Sequence, residues 1–513
     1  MNKKTAKLKK NTVQWNLASV ILVAVFCVTL INQGGFYEGA IVFAGIIMAC
    51  FLFAKGIKVR ISVTNILFAI FSAWYFFCSV KNGFVTEYAI RGLLPFTVFM
   101  FSVYVSECGQ LKASIITSIL KISAILALIA SLHCVIMTIQ SKTVIRLLLP
   151  FNYSNVSGIY FAVCWFLSEK SNDNFLKKAK IFFPIAVILT LSVGAMALSL
   201  LLIVVRLIRE KKIKQLIVLI LLLIAAVFLL HDRIIQSGGT FLERMLQIHD
   251  GFLCIIKNPI SGIGAGSWGI VKQQYQTGFY AATVLHSSIV QIGVNSGLPG
   301  FLMFVALLVS FLKDAFCKKL EFVLSVMIIL HSTVDFTFSF AAMGFLLVIL
   351  ASPERKTEDK TLPNSVKSVL VVLFVCIFAI SAYGLSEIKT FQNSLKQNKL
   401  SEKTDVFVSH SAEASRSCAA YMNGAGKAVP KNMFALQHLS TEMIINEACF
   451  LKEDESLLIK CLQKQPYNVK LMQFIEENCS LKTIEKANIV REKAIASLSP
   501  IGEILYNLKG ENQ

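Results

Sequence analysis

The chain carries a long series of apolar segments, each close to the length that crosses a lipid bilayer. A transmembrane helix needs about 20 predominantly apolar residues, and 55% of the 513 residues are hydrophobic while 16% are charged. This pattern predicts an all-α polytopic membrane protein. Because similar runs recur along the chain, the first is not expected to be a cleaved secretory signal. The runs lie near residues 13–31, 38–55, 61–79, 88–106, 113–138, 155–168, 180–208, 216–230, 286–313, 321–351 and 367–385.

The formal net charge of +20 indicates membrane orientation rather than nucleic-acid binding, because the basic residues cluster in short segments between the apolar runs. Two long runs, 180–208 and 321–351, have basic clusters at both ends, so we expect each to be a hairpin. The first should turn near residues 192–194, and the second at its polar middle. Counting each as two spans gives about 13 transmembrane helices, within a range of about 12 to 14.

The same topology places the N-terminus in the cytoplasm and the segment 231–285 outside it, as a large extracytoplasmic loop. It also predicts two domains, a transmembrane domain over residues 1–385 and an extracytoplasmic helical domain over residues 386–513. The second domain shows helical periodicity in Met443–Cys461 and Leu471–Ser497, with a turn signal at residues 465–468 between them. Its helix pairs resemble degenerate tetratricopeptide units, and packing or contact with a protein partner is its expected role.

The 13 cysteines contain no CxxC pair and no zinc-ligand spacing, so we expect no metal site. Most lie in apolar runs, where cysteine behaves as a small hydrophobic residue. In the oxidising space outside the membrane, two alternatives stay open for the cysteines of the tail: one or two disulfides, or buried thiols. These residues are Cys418, Cys449, Cys461 and Cys479.

The extracytoplasmic loop contains the residue types that could carry chemistry. Phe241–Ile256 has apolar residues at helical spacing, which predicts an amphipathic helix lying on the membrane with Arg244 near the lipid headgroups. A glycine-rich turn follows at Gly262–Gly266, where the backbone can approach a ligand closely. His286 begins the next apolar run, and its alternatives are a structural helix cap or a titratable group of the site.

Four segments in this order resemble the O-antigen ligase and polymerase superfamily. His286–Gly300 is similar to its histidine segment, H-N-x-x-L-x-x-x-x-E-x-G-x-x-G, and Phe151–Gly158 to its F-x-Y-x-N motif before a span. His331–Phe336 resembles its H-S-x-x-D-F hairpin. The resemblance covers about residues 80–385. Its arginine, proline and glycine lead-in is matched by Arg244, Pro259, Gly262, Gly264 and Gly266.

The chain departs from the family pattern at three positions. Ser287 follows the histidine where the family often has asparagine, and Asn295 stands where it has glutamate. Val193 occupies the first hairpin turn, where the family usually has an arginine. The missing arginine leaves open how the negative charge of a bound glycan donor would be balanced.

The resemblance implies glycan transfer from a polyprenyl diphosphate carrier to an acceptor, at the outer face of the cytoplasmic membrane, without metal or cofactor. It implies that Arg244 binds the donor diphosphate and that His286 acts as general base or orients the acceptor. Direct displacement would invert the anomeric configuration. The acceptor is a glycan, a lipid or a protein, and no nucleic acid is expected. Residues expected to bind substrate are Arg91, Arg146, Asn155, Gly264, Gly266 and Asn295.

Three charged residues in or near the spans have alternatives. Arg91 either extends outward to the lipid boundary or lies along the carrier and replaces the missing arginine. Asp335 is expected to pair with a cation or cap a helix rather than act in catalysis, and Lys121 is one candidate partner.

Several functions remain open on the sequence. A ligase and a polymerase differ only in their acceptor, and the residues do not separate them. A transporter or flippase of lipid-linked glycan would also suit many spans with intramembrane charge, although the spans show no internal repeat. A non-catalytic scaffold of a polysaccharide assembly is the third alternative, because Val193 replaces an arginine.

Overall fold

The computed structural model describes residues 17–52, 58–59, 61–82, 86–229, 231–351, 361–396 and 455–509. Over these ranges the chain is helical and has no β-strand, so the predicted all-α class is confirmed. The α-helices, numbered in chain order over the described ranges, are α1 Leu17–Ile31, α2 Glu38–Phe51, α3 Val63–Asn82, α4 Thr86–Arg91, α5 Leu94–Cys108, α6 Lys112–Ser141, α7 Ser154–Glu169, α8 Asn174–Ala179, α9 Phe182–Leu189, α10 Val193–Arg209, α11 Ile213–Leu229, α12 His231–Lys257, α13 Trp268–Val271, α14 Ser288–Ala315, α15 Lys319–Thr333, α16 Ala341–Ala351, α17 Asn364–Lys396, α18 Glu455–Lys464, α19 Val469–Asn478, α20 Leu481–Ala496 and α21 Pro500–Lys509.

Five helical segments in the described part of the chain are long and apolar enough to cross a membrane by length and composition. Helices α1, α2 and α16 are apolar but shorter. The apolar helices indicate a membrane protein. The expected total of about 13 spans stays a prediction, because several runs form short or broken helices. The five segments are Val63–Lys81, Ala89–Cys108, Lys112–Ser141, Ser288–Ala315 and Asn364–Phe391.

The run 180–208 is divided where the sequence predicts a turn, between α9 and α10. Ser192 caps α10, its hydroxyl accepting a hydrogen bond from the N–H of Ala195 at 3.4 Å. Gly158, near the start of α7, lies against Ala195, while Glu169 at the end of α7 forms an ion pair with Arg206 near the end of α10. Helix α10 therefore runs beside α7 along its length, back toward the end of the bundle from which α9 came. The predicted turn between two antiparallel helices is confirmed, and that both arms cross the membrane stays a prediction.

The run 321–351 is divided as well, into α15 and α16. The connecting residues 334–340 contain a 3-10 turn, Thr337–Ser339. The backbone carbonyl of Asp335 in this turn accepts a hydrogen bond at 3.0 Å from the N–H of Ser288, the first residue of α14. The turn therefore lies at the same end of the bundle as His286.

The core of the bundle is built from aromatic rings contributed by distant helices. Phe101 of α5 and Phe345 of α16 stack with ring centroids 4.0 Å apart and an interplanar angle of 10°. Phe26 of α1 packs against both rings at 6.5 Å. All three side chains are fully buried, and between helices in a membrane such rings stabilise the bundle through close van der Waals packing. This packing fixes α16, the shortest of the three, inside the bundle.

Helix α12 contains the predicted amphipathic segment Phe241–Ile256. Leu246 and Cys254 are 0% exposed and belong to a second hydrophobic core formed with the glycine-rich loop. Phe241 and Phe252 lie on another face of the helix and are 51% and 45% exposed. The helix is thus confirmed, with one apolar face inside the protein and a second apolar face exposed, and its position on the membrane stays a prediction.

The end of α17 and helices α18 to α21 form the described part of the tail. The turn predicted at residues 465–468 separates α18 from α19. The predicted domain boundary after residue 385 falls inside α17, which continues to Lys396. The start of the predicted helix Met443–Cys461 lies outside the described residues, as do Cys418 and Cys449. The tetratricopeptide-like character of the tail stays a prediction.

Candidate active site

Asp335, in the turn between α15 and α16, is the buried centre of a polar cluster. Its side chain is 0% exposed, and its Oδ2 lies 3.2 Å from Nη1 of Arg244. The same oxygen accepts from Asn155 Nδ2 at 2.9 Å and from the Tyr153 hydroxyl at 3.2 Å. Its Oδ1 accepts from the N–H of Phe336 at 2.8 Å. A buried carboxylate requires such pairing and hydrogen bonding, so this arrangement holds its four donors in fixed positions.

Arg244 is presented to this cluster by α12. Its Nη1 also donates to the backbone oxygen of Val334 at 2.8 Å, while its Nε is buried and has no hydrogen-bond partner among the described residues. A buried donor without a partner costs about 1–3 kcal/mol, while 16% of the Arg244 side chain is exposed, so part of the guanidinium is open to a further acceptor. The prediction that Asp335 pairs with a cation is confirmed. The partner is Arg244 and not Lys121, which pairs with Asp173 at 2.7 Å.

Arg146 extends the cluster toward the turn between α9 and α10. Its Nη2 donates to Asn155 Oδ1 at 2.9 Å, and Asn155 donates in turn to Asp335. Its Nε donates to the backbone oxygen of Thr190 at 3.0 Å. This is the turn in which Val193 stands where the family usually has an arginine. The fold therefore brings a guanidinium from another segment to the turn that lacks its own.

His286 is held by Gln247 of α12. The Gln247 side-chain oxygen accepts from the N–H of His286 at 3.2 Å and lies 2.9 Å from His286 Nδ1. The amide nitrogen of Gln247 donates to Glu243 at 3.3 Å, which turns the amide oxygen toward the imidazole. An amide oxygen only accepts hydrogen bonds. Neutral His286 therefore carries its proton on Nδ1 and its lone pair on Nε2.

The charge state of His286 follows from its surroundings. Burial lowers the pKa of its imidazole below the ordinary 6.5. The negative charges of Asp335 and Glu243 raise the pKa of His286, and the positive charge of Arg244 lowers it. Burial has the largest effect, so the pKa of His286 is lowered overall. His286 is therefore neutral near pH 7 and able to accept a proton at Nε2.

Helix α14 is broken at Gly297, which has φ of 71°. A break leaves backbone carbonyls without helical partners. Here the glycine-rich loop supplies the missing donors. The N–H of Ile263 donates to Val294 O at 2.9 Å, and the N–H of Gly264 donates to Asn295 O at 3.0 Å. The glycine-rich loop therefore satisfies the backbone carbonyls that the break in α14 leaves open.

The glycine-rich loop is pressed against α14 and not against an open cleft. Gly262 has φ of 60°, and a Cβ atom there would lie 2.4 Å from Val294 O. The N–H of Gly264 is occupied by Asn295 O. The close backbone approach expected for a ligand is thus made to α14, and substrate binding by Gly264, Gly266 and Asn295 stays a prediction.

The side chain of Asn295 belongs to a second polar chain that leads to the histidine. Its amide lies 2.6 Å from the Tyr75 hydroxyl and 2.7 Å from the Gln291 amide. Gln291 Oε1 accepts from the N–H of Leu285 at 3.2 Å. Because Leu285 precedes His286, this chain helps to fix the backbone of the candidate base.

Arg91 does not join the Asp335 cluster. It pairs with Glu38 at 3.1 Å and lies over the ring of Phe36, 4.3 Å from its centroid. Phe36 in turn packs against Phe336 with centroids 6.2 Å apart. The charge of Arg91 is therefore balanced within the protein by Glu38. Binding of the lipid carrier by Arg91 stays a prediction.

Sequence reasoning missed Gln247, Glu243 and Tyr153. A signal for the first two was present, because Glu243 and Gln247 lie four residues apart and share one face of α12. Gln247 also lies three residues after Arg244. Tyr153 stands inside the F-x-Y-x-N motif, but its contact with Asp335 joins residues 182 positions apart and carries no local signal.

A comparison with protein families finds a match that covers this part of the chain. Residues 179–305 match a family model described as O-antigen ligase. The matched range runs from the end of α8 into α14 and contains both Arg244 and His286. It supports the superfamily resemblance carried by the four motifs. No curated protein matches the chain.

Proposed function

We propose, taking the O-antigen ligase and polymerase superfamily as the premise, that this protein transfers a glycan from a polyprenyl diphosphate carrier to an acceptor at the outer face of the cytoplasmic membrane. One observation carries the proposal. Arg244 is paired with the buried Asp335 and keeps 16% of its side chain exposed, beside a histidine whose Nε2 is left open by the bond from Nδ1 to Gln247. The pair offers an anion contact and a base within one cluster.

His286 acts as the general base in this scheme. With its Nδ1 proton held by Gln247, its Nε2 accepts the proton of the acceptor hydroxyl as that oxygen attacks the anomeric carbon. A positioned base of this kind contributes about 10²- to 10⁴-fold in rate. The lowered pKa of His286 keeps the imidazole unprotonated and ready for this step.

Arg244 stabilises the leaving group. As the new glycosidic bond forms, the bond from the anomeric carbon to the diphosphate oxygen breaks, and its electron pair leaves with the polyprenyl diphosphate. A guanidinium can hold diphosphate oxygens through several N–H groups at once. Asp335 keeps Arg244 in place through the 3.2 Å ion pair. The reaction needs no metal, and its direct displacement inverts the anomeric centre.

Arg146 supplies the second positive charge at the donor. It is held at the α9–α10 turn by Thr190 and connected to Asp335 through Asn155. In this proposal it takes the place of the arginine that Val193 replaces. The positive charge that is missing at Val193 is thus supplied by Arg146, from a different segment of the chain.

The orientation follows from the basic segments. The cluster lies at the end of the bundle that carries the α9–α10 turn and the start of α14, opposite the ends where Arg206 and Glu169 meet. Basic residues favour the cytoplasmic side, so the cluster faces outward. The transmembrane domain, residues 1–385, then carries the reaction, and residues 386–513 lie outside the membrane.

The proposal is tested with protein reconstituted in liposomes with a polyprenyl diphosphate-linked oligosaccharide and an acceptor glycan. Release of polyprenyl diphosphate is measured for wild type, His286→Ala and Arg244→Ala, with His133→Ala as control because His133 is exposed on α6. We expect both site variants to lose at least about 100-fold in rate and the control to keep it. Equal, measurable rates in wild type and both site variants would overturn the roles given to His286 and Arg244, whereas no release by the wild type would leave a scaffold as the function.

A further inference from the structure

The last helix that the structure describes, α21, forms part of the core beneath the candidate site. Leu505 is 1% exposed and belongs to the same buried cluster as Leu246 and Leu285. Leu246 directly precedes Gln247 on α12, and Leu285 directly precedes His286. Leu505 thus shares one hydrophobic core with the residues that directly precede the two groups of the imidazole hydrogen bond.

The backbone of α21 lies directly against the backbone at Thr277 and Gly278, in the segment between α13 and α14. A Cβ atom at Gly278 would lie 3.0 Å from the Cα of Gly502, and one at Gly502 would lie 2.8 Å from the carbonyl oxygen of Thr277. Real side chains do not fit at such distances. Two glycines facing each other therefore allow an approach that other residues would prevent.

A polar connection fixes the start of α21 to α12. The N–H of Ser499 donates to Thr277 O at 3.1 Å, and the two hydroxyls lie 3.1 Å apart. Thr277 binds Asp250 of α12 through both its N–H, at 3.1 Å, and its hydroxyl, at 2.6 Å. Asp250 is 0% exposed, and burial raises the pKa of its carboxyl while Thr277 opposes this. The connection therefore reaches the same helix that carries Gln247.

Aromatic packing adds a second point of attachment. The Phe279 ring is packed between Tyr467, with centroids 5.3 Å apart, and Tyr506, at 5.9 Å. Tyr467 lies in the turn before α19 and Tyr506 in α21. The segment after Thr277 is therefore enclosed by two parts of the tail, which gives the docking a defined position.

From these contacts we infer that α21 is a positioning element of the site, which holds α12 where Gln247 can orient His286. The tail is then a structural part of the catalytic unit and not only an external module for partners. The effect on transfer rests on the proposed function, whereas the docking of α21 onto α12 does not.

The docking is tested in the full-length protein by replacing Thr277 and Ser499 with cysteine. Because their hydroxyl oxygens lie 3.1 Å apart, the double variant should form a disulfide, found by mass spectrometry as a linked peptide pair. The control is Thr277→Cys with Asn507→Cys, since Asn507 is exposed on α21. A linked peptide in the control, or none in the test pair, would overturn the inference.

Positioning is tested by the variant Gly502→Leu, with Asn507→Leu on the exposed side of α21 as control. Amide hydrogen exchange of the reconstituted protein reports local opening. We expect Gly502→Leu to speed exchange about tenfold or more over residues 241–257 of α12, with little change in the control. Exchange that rises only within residues 455–509 would refute a positioning role.

Activity separates this inference from the proposed function. Glycan transfer by Gly502→Leu should fall about tenfold or more, as expected when a base is displaced, and the Asn507→Leu control should match wild type. Faster exchange in α12 with unchanged transfer would overturn the positioning role alone. Unchanged transfer in His286→Ala would instead overturn the proposed function, and the disulfide result would stand by itself.

Discussion

Replacing Gln247 with methionine removes the oxygen that accepts from His286 Nδ1 while keeping a side chain of similar length. Gln247 is 1% exposed, and its oxygen lies 2.9 Å from His286 Nδ1 and 3.2 Å from the N–H of His286. Without it the imidazole is free to carry its proton on Nε2, where it cannot act as a base. Transfer should therefore slow without loss of any group that touches substrate.

The size of this effect follows from the hydrogen bond. A partly buried donor left without its acceptor costs about 1–3 kcal/mol, and each 1.36 kcal/mol corresponds to tenfold in rate. If the whole cost falls on the productive tautomer of His286, Gln247→Met should reduce the rate of transfer by about 5- to 150-fold.

The assay measures the rate of polyprenyl diphosphate release at equal amounts of reconstituted protein. The matched control is Gln276→Met, because Gln276 is also buried and donates to a backbone oxygen, at 2.9 Å from Tyr280 O. Both variants lose a buried hydrogen bond, but only Gln247→Met touches His286. Equal rates for the two variants would refute the argument that Gln247 selects the tautomer of His286.

Three further predictions concern charge and backbone. The rate of transfer should fall as the pH drops through the pKa of His286, which burial lowers below 6.5. Because the Asp335 carboxylate raises that pKa, Asp335→Asn should move this fall in the pH–rate profile to a lower pH. Arg244→Lys should keep the positive charge but raise KM for the lipid-linked donor, since an ammonium lacks the planar set of donors. Gly262→Ala should lower the melting temperature, at a cost of about 1–3 kcal/mol, because its φ is 60° and a Cβ would lie 2.4 Å from a carbonyl oxygen of α14. Gly39→Ala is the control for the last, since nothing lies within 4 Å of a Cβ there.

The hairpins could be predicted because their signals are local. Basic clusters at both ends of the run 180–208 require a turn between them, and the break near Ser192 agrees with that requirement. The turn before α19 is equally local, since Pro466 and Asn468 disfavour helix continuation and start a new helix. Such features depend on neighbours in sequence and need no knowledge of the tertiary fold.

The site could be predicted only in part, because its contacts join distant segments. Arg244 and His286 were identified through motifs, but Asn155 and Asp335 meet across 180 positions and Arg146 reaches Thr190 across 44. No periodicity in the sequence encodes which arginine stands beside which carboxylate. The wrong partner for Asp335, Lys121, was as plausible from the sequence as the right one.

The glycine-rich loop shows a different limit. A run of glycines predicts unusual backbone angles, and Gly262, Gly264 and Gly266 do have positive φ. The same signal suits a loop that approaches a ligand and one that approaches another backbone. Only the fold reveals that this loop completes the broken helix α14 near Gly297. The docking of α21 is likewise invisible to local patterns.

The most direct test of the central claim is a mass analysis of lipid-linked glycans in cells whose only copy of the protein carries His286→Ala. If His286 is the base, the polyprenyl diphosphate-linked glycan accumulates and the transferred glycan disappears at unchanged protein level. Accumulated single repeats would identify a polymerase, and accumulated long chains a ligase. Wild-type amounts of transferred glycan, with no accumulation of the lipid-linked donor, would contradict the account.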